Sequence, residues 1–147
     1  MTRVWKGAAG LAIAVVAGAA TPAASVDLTL SIQHLRSHRG AVMICVTERT
    51  SAFPDCKGDS KARRLIVDAD KAGSIVVSGL APGDYAVAVI HDENRNGRLD
   101  KRLVIPREGF GFSRNPPIGF GPPAFAAARF SLVSGPVNQT IRMRYIF

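Results

Sequence analysis

The chain has 147 residues, of which 47% are hydrophobic and 20% are charged, and its formal net charge is +8. This length fits one domain with a single hydrophobic core. The cations are scattered in short pairs such as Arg63-Arg64 and Lys101-Arg102, whereas a nucleic-acid-binding surface clusters them on one face with interleaved aromatic residues. We therefore expect no nucleic-acid partner, and attraction to anionic envelope polymers or lipid headgroups stays open.

The N-terminus has the pattern of a secretory signal peptide. Arg3 and Lys6 precede an uncharged apolar stretch that ends in small residues. The stretch is shorter than the roughly 20 residues that a helix needs to span a bilayer, and no later apolar run approaches that length. We predict a signal peptide over 1–25, cleaved within 19–25, and a periplasmic or secreted domain over 26–147 without an integral membrane segment. An uncleaved anchor and a buried N-terminal helix are the alternatives.

The remainder of the chain alternates apolar and polar residues with period two, in short segments bounded by turn residues. A helical turn fits only at 122–127, because proline is tolerated in the first turn of a helix. Short strands separated by turns are typical of a sandwich. The predicted fold class is all-β, a single antiparallel β-sandwich of about seven strands. The strands are expected at 26–35, 41–47, 64–68, 74–80, 85–90, 128–133 and 140–147.

The two cysteines, Cys45 and Cys56, favour a disulfide. An even cysteine count in an exported protein usually means pairing. The bond would close a polar loop that contains Pro54, and the chain-entropy estimate for a loop of this size is about 3 kcal/mol. Two free thiols are the alternative, and the count excludes a cysteine-based zinc site.

One segment, His91 to Asp100, carries acidic and amide side chains at alternate positions. This pattern matches the first part of a calcium-binding loop, in which oxygen ligands converge because the chain curls around the ion. Gly97 stands where such a loop bends sharply. The candidate metal ligands are Asp92, Asn94, Asn96, Arg98 through its carbonyl, and Asp100.

Three features oppose calcium at this loop. Position twelve is Leu103, so the usual bidentate glutamate is missing. Four cations crowd three carboxylates, which disfavours a divalent ion. Finally, Asn96-Gly97 is a strong hairpin-turn dipeptide that needs no metal. A weak calcium site and a metal-free hairpin loop both stay open, and Glu108 is the nearest carboxylate to complete a ligand shell.

The segment after this loop is unusually aromatic and rich in glycine. Phe110 and Phe112 alternate with glycines, and Phe120 follows in Gly-Phe-Gly-Pro-Pro. The rings either pack as a buried cap on the end of the sandwich or form an exposed apolar patch that marks a recognition site. The candidate ligand-binding residues are Glu108, Phe110, Phe112 and Phe120. Glu108 and Arg107 also offer pairing with Arg98 or Asp100, which would tie the two loops together.

Four stretches make the chain recognisable: 79–87, 91–100, 105–113 and 120–125. In their order and spacing, the chain from about Leu28 to Ile146 resembles the bacterial domain-of-unknown-function family numbered 2141. The resemblance implies an exported, single-domain sandwich related to transthyretin-like and collagen-adhesin-B-like folds. It implies no reaction, since no activity is established for that family. This sequence is richer in arginine around the loop than the family pattern.

Three classes of function are weighed. An enzyme is not expected, because Ser113 lacks a motif context and arginines would lower the pKa values of the loop carboxylates. We expect an extracytoplasmic binding or accessory module for an unknown envelope or extracellular ligand, by analogy with other small sandwiches. A structural or envelope-interaction module that uses an exposed edge strand is the alternative. No cofactor other than calcium is suggested.

Overall fold

The computed structural model describes Gly18 and residues 21–147. Of the described residues, 43% are in strands and 8% in helices, so the prediction of an all-β, sandwich-like fold is confirmed. The predicted signal peptide lies largely outside the described residues. The strands are β1 (Val26–Gln33), β2 (Ala41–Thr47), β3 (Arg63–Asp68), β4 (Ile75–Leu80), β5 (Gly83–Asp92), β6 (Lys101–Arg102), β7 (Ile105–Pro106), β8 (Gly109–Phe112), β9 (Phe130–Leu132) and β10 (Val137–Arg142).

Two main sheets carry the fold. The smaller has the order β10-β1-β4, and the larger has the order β3-β2-β5-β8, with β9 pairing the start of β5. Strands β6 and β7 form a separate two-stranded hairpin. Most pairs are antiparallel, but β1 and β10 are parallel, with Leu28 opposite Val137. The expectation of a purely antiparallel sandwich is wrong at this pair, because the chain returns from β9 to run beside β1 in the same direction.

Period-two alternation missed β8 and the β6–β7 hairpin. Strand β8 reads Gly-Phe-Gly-Phe, and glycine lowers strand propensity. The glycines are needed because other side chains lie directly on them. A Cβ at Gly109 would lie 2.8 Å from the Tyr145 hydroxyl, and one at Gly111 would lie 2.7 Å from Ile141 Cγ2. The only α-helix of the described chain, α1 (Phe125–Ala128), overlaps the predicted helical turn and starts three residues later.

The larger sheet is covered on both faces. One face packs against the smaller sheet, where alternate residues of β5 such as Val87 and Val89 meet Leu28 and Leu30 of β1. The other face forms a second core that the remaining β5 residues, Ala86 and Ala88, share with the following side chains: Cys45, Cys56, Phe110, Phe112 and Ala128. Successive side chains of β5 therefore point alternately into the two cores, which explains why this strand is apolar on both faces.

The predicted disulfide is present. Cys45 and Cys56 are bonded and buried in the second core. The bond fixes the 3-10 turn at Thr50–Ala52 beside the larger sheet. In the part of the chain that the structure covers, no helix is long and apolar enough to cross a membrane.

Candidate functional site

The 91–100 loop begins at the end of β5 and winds around the carboxylate of its last residue, Asp92. This side chain is buried, and its two oxygens accept the backbone N–H groups of Asn96 (3.0 Å) and Gly97 (2.8 Å). The positive-φ residues are Arg95 and Gly97, with Asn96 between them in ordinary backbone. A two-residue type I′ hairpin needs positive φ at both Asn96 and Gly97, so the loop is not that hairpin.

Asp100 closes the loop from the other side. Its carboxylate accepts the side-chain amides of Asn94 (2.7 Å) and Asn96 (2.8 Å). Those two hydrogen bonds, with the positive charges of Arg98 and Arg107, lower the pKa of Asp100 below its ordinary value. Asp100 is therefore held as an anion by neutral amide donors and nearby guanidinium groups.

Glu108 brings a third carboxylate to this loop from the next segment of the chain. It is buried, and it accepts the backbone N–H groups of Glu93 (3.2 Å) and Asp100 (3.0 Å). Burial raises the pKa of Glu108, and the nearby charges of Asp100 and Asp92 raise it further. The two loops are tied together as expected, but by a carboxylate on main-chain amides rather than by an arginine pair.

The predicted calcium ligands lie in one hydrogen-bonded unit without forming a ready metal cluster. Each carboxylate oxygen of Asp92, Asp100 and Glu108 accepts an N–H group. Among the described residues, no three His, Cys, Asp or Glu side chains are arranged to hold a metal ion. Arg98 places its guanidinium Nε 3.7 Å from Asp100 Oδ1. Calcium coordination would therefore require the amide donors on Asp100 to turn away.

The cations around the loop differ in where they point. Arg95 pairs with Asp68 at the end of β3, at 2.7 Å, so its charge is engaged outside the loop. The exposed side chains of Lys101 and Arg102 belong to the β6–β7 hairpin. The local excess of positive charge that the sequence indicated is therefore spread over three places rather than concentrated on the carboxylates.

Beside the loop lies a buried polar network that the sequence analysis did not predict. His91 is fully buried; its Nδ1 lies 2.7 Å from the Tyr145 hydroxyl and its Nε2 lies 2.8 Å from the Arg39 carbonyl. A carbonyl only accepts, so Nε2 carries the proton in this arrangement and Tyr145 donates to Nδ1. The hydroxyl in turn accepts the backbone N–H of Arg36 at 3.2 Å. No local signal marks this network, since its members are far apart in the chain.

Arg36 links that network to the loop. Its guanidinium donates to Glu93 from Nη2 (2.5 Å) and Nε (3.0 Å) and lies 4.6 Å from the centre of the Tyr145 ring. It also donates to the Phe147 carbonyl at 2.6 Å. The hydrogen bond from Arg36 is the main reason that the pKa of Glu93 is lowered. Arg36 therefore joins the β1–β2 connection, the loop and the C-terminus.

The aromatic residues that were candidates for ligand binding are divided between core and surface. Phe110 and Phe112 are buried in the second core, where Phe112 packs against Phe53 with ring centres 5.8 Å apart. Phe120 is fully exposed. The three rings therefore form no common recognition patch. Phe110 and Phe112 take the buried position instead, because β8 inserts them between the larger sheet and the segment around Ile118.

A separate groove of about 300 Å³ lies at the opposite end of β5. The hydroxyl of Tyr85 borders it and donates to the Ala81 carbonyl at 2.9 Å. Its charged lining residues are Glu48, Lys61 and Arg63. No site was predicted here from the sequence, because the lining residues come from three different segments of the chain.

Among the comparisons with known proteins, only the comparison with protein families finds a match. Searches of the curated proteins and of the solved structures find no significant match. The profile of one family matches residues 30–140, which run from the middle of β1 into β10 and include every strand between them. Its description is "Uncharacterized protein conserved in bacteria (DUF2141)". The chain belongs to this family.

Proposed function

We propose that this protein is an exported, non-catalytic binding or accessory module whose binding end is formed by the 91–100 loop and Glu108. The observation that carries the proposal is the position of Glu108, whose buried carboxylate bonds the main chain at Glu93 and Asp100. Burial of Glu108 near the charges of Asp92 and Asp100 costs free energy. Such an arrangement of carboxylates is typical of a functional site. The disulfide and the N-terminal sequence pattern support a periplasmic or secreted location.

The ligand that this end suits is calcium, bound weakly. Carboxylate and amide oxygens are the ligands that calcium prefers, and each carboxylate oxygen keeps a free lone pair beside the hydrogen bond it accepts. Rotation of the Asn94 and Asn96 amides would exchange their NH2 groups for oxygens next to Asp100. The ion would then supply the positive charge that those amide donors now supply in part.

A non-catalytic role is supported by the state of the nucleophilic and basic side chains. His91 has both ring nitrogens engaged. The Ser113 hydroxyl is buried and donates to the Ala128 carbonyl at 2.5 Å, and both cysteines are in the disulfide. None of these groups faces a space in which a substrate would meet it together with a base.

A structural or envelope-interaction module with a metal-free loop is the second candidate. It is favoured by the complete internal hydrogen bonding of the loop carboxylates, which holds the loop without an ion. It is also favoured by the edge strand β3, where Ile66 is 73% exposed. An edge strand with an exposed aliphatic residue is suited to strand addition by a partner.

A calcium titration separates the two candidates. The melting temperature of the protein should rise with millimolar calcium, because an ion that binds only the folded state stabilises it. Asp100→Asn should abolish the rise, while Asp84→Asn, an exposed carboxylate on β5 at the opposite end, should leave it unchanged. No shift in the parent protein, or an equal shift in both variants, would reject the calcium loop and favour the metal-free candidate.

A further inference from the structure

The tip of the β6–β7 hairpin presents two aliphatic side chains to solvent. Leu103 is 93% exposed and Val104 is 85% exposed. They connect the paired residues Arg102 and Ile105, so they form the two-residue turn of this hairpin. Large aliphatic side chains that are exposed together at a projecting tip are unusual on a monomeric domain.

Folding does not explain these residues. Two-residue hairpin turns favour Asn, Asp and Gly, because the turn needs positive φ. Leu103 has φ of 57°, a left-handed conformation that is unfavourable for a side chain of this kind. Glycine or asparagine at Leu103 would relieve both the backbone strain and the exposure of apolar surface. Contact with an apolar partner would explain why aliphatic residues occupy this turn.

Three cations lie along the hairpin and at its base. Lys101, Arg102 and Arg107 are exposed, and within the described part of the chain none of the three forms an ion pair with a carboxylate. Asp100, which precedes Lys101 in the chain, accepts two side-chain amides and has Arg98 at 3.7 Å as its ion-pair partner. An apolar tip on a hairpin that carries cations outside ion pairs is complementary to a surface that is apolar inside and anionic outside.

The base of the hairpin is fixed. The backbone N–H of Arg107 donates to the Asp100 carbonyl at 2.9 Å, and the N–H of Asp100 donates to Glu108 at 3.0 Å. These bonds anchor both ends of the hairpin to the loop and to Glu108. The hairpin pairs with neither main sheet, and residues 101–105 are all exposed, so the tip is accessible to a surface without unfolding of the loop.

We propose that the 101–107 hairpin docks on an anionic lipid surface, with Leu103 and Val104 inserted at the headgroup boundary and the three cations on lipid phosphates. An anionic polysaccharide would engage the cations but would gain nothing from the aliphatic tip. A folded protein partner would need an apolar pocket for the tip with carboxylates placed for the cations, whereas an anionic lipid surface meets both requirements without a matching shape. The inference rests on the proposed function only in placing binding at this end, and it needs no calcium.

Vesicle co-sedimentation tests the proposal. Vesicles of phosphatidylglycerol with phosphatidylcholine are compared with pure phosphatidylcholine, in EDTA, with parent and variants prepared in the same exported form. The parent should bind the anionic vesicles, and Leu103→Ser with Val104→Ser should weaken binding by about tenfold. Lys101→Gln with Arg102→Gln should weaken it as well and reduce its salt dependence. Ile66→Ser, an exposed aliphatic residue on β3, should bind like the parent.

Several outcomes would overturn the inference. Absence of parent binding to anionic vesicles would reject it. Undiminished binding of Leu103→Ser with Val104→Ser would also reject it. If Lys101→Gln with Arg102→Gln still weakens binding in that case, the partner is an anionic polymer or a headgroup surface into which the aliphatic side chains do not insert. Each variant should keep the parent melting temperature, because its substituted side chains are exposed. Since the assay contains EDTA and the calcium titration contains no lipid, the failure of one proposal is distinguishable from the failure of the other.

Discussion

The buried carboxylate of Glu108 accepts the backbone N–H of Asp100 at 3.0 Å, across the base of the β6–β7 hairpin. Through its other oxygen the same side chain accepts the N–H of Glu93 at 3.2 Å. One acidic residue thereby joins the start of the loop, its end and the entry to β8. The relationship explains why a residue outside the loop belongs to the candidate site.

The first prediction concerns the pH dependence that Glu108 confers. Its pKa is raised in the folded state, so the folded protein holds this proton more tightly than the unfolded chain does. The contribution of Glu108 to stability is therefore complete below the unfolded pKa and is lost as the pH rises through the raised folded pKa. In Glu108→Gln this contribution cannot titrate. The melting temperature of the parent minus that of the variant should fall as the pH is raised from about 4.3, the ordinary pKa of a glutamate, into the neutral range.

Other carboxylates, whose pKa values are lowered on folding, contribute to stability with the opposite pH dependence. The prediction is therefore stated for the difference between the melting temperatures of the parent and of Glu108→Gln. Glu93 has a lowered pKa, so it adds stability above its unfolded pKa and loses it as the pH falls through the folded value. Its contribution is common to the parent and to Glu108→Gln and cancels. A difference in melting temperature that stays constant across this pH range would contradict the assignment for Glu108.

The second prediction concerns Tyr145→Phe. Removal of the hydroxyl leaves His91 Nδ1 without a donor and the N–H of Arg36 without an acceptor. Because His91 is fully buried, the unfolding free energy should fall by about 1–2 kcal/mol in urea denaturation. Tyr85→Phe is the matched control, since its hydroxyl has a single partner, the Ala81 carbonyl, and should cost less. An equal or larger loss for the control would contradict the role of the network.

The third prediction concerns the close approach at β8. In Gly109→Ala the new methyl group would overlap the Tyr145 ring, including its hydroxyl at 2.8 Å. Overpacking of this kind typically costs about 1–3 kcal/mol. Gly119→Ala is the control, because no atom lies within 4 Å of a Cβ there. Thermal unfolding should rank Gly109→Ala well below Gly119→Ala, and similar melting temperatures would show that Tyr145 gives way at no cost.

The fourth prediction concerns the disulfide. Cys45 and Cys56 are separated by 11 positions, and the chain-entropy model assigns a loop of this size about 3 kcal/mol. The double variant Cys45→Ala with Cys56→Ala should lose roughly that amount in denaturant unfolding, together with some packing in the second core. A reducing agent should destabilise the parent and leave the double variant unaffected. A parent that is insensitive to reduction would contradict the prediction.

Most of the strands were predictable because their signal is local. Strands β1 and β4 alternate buried and more exposed positions, and β2 is a short continuous apolar run. The structure has all three strands within about two residues of their predicted ends. Strand β8 was not predictable in this way. Its glycines are explained only by the side chains of Tyr145 and Ile141 that lie on them, and these are at least 30 residues away in the sequence.

The candidate site likewise has features with a local sequence signal and features that depend on packing between distant segments. The family stretches, the acidic and amide pattern of the 91–100 loop and the cysteine pair are readable from the chain alone, since each depends on residue type and short spacing. The contacts of Glu108 with the loop backbone and of His91 with Tyr145 follow from the packing of the fold. So do the burial of Phe110 and Phe112 and the exposure of Leu103 and Val104 at a hairpin tip. Burial and hydrogen-bond partners arise from packing between distant segments, which no local pattern encodes.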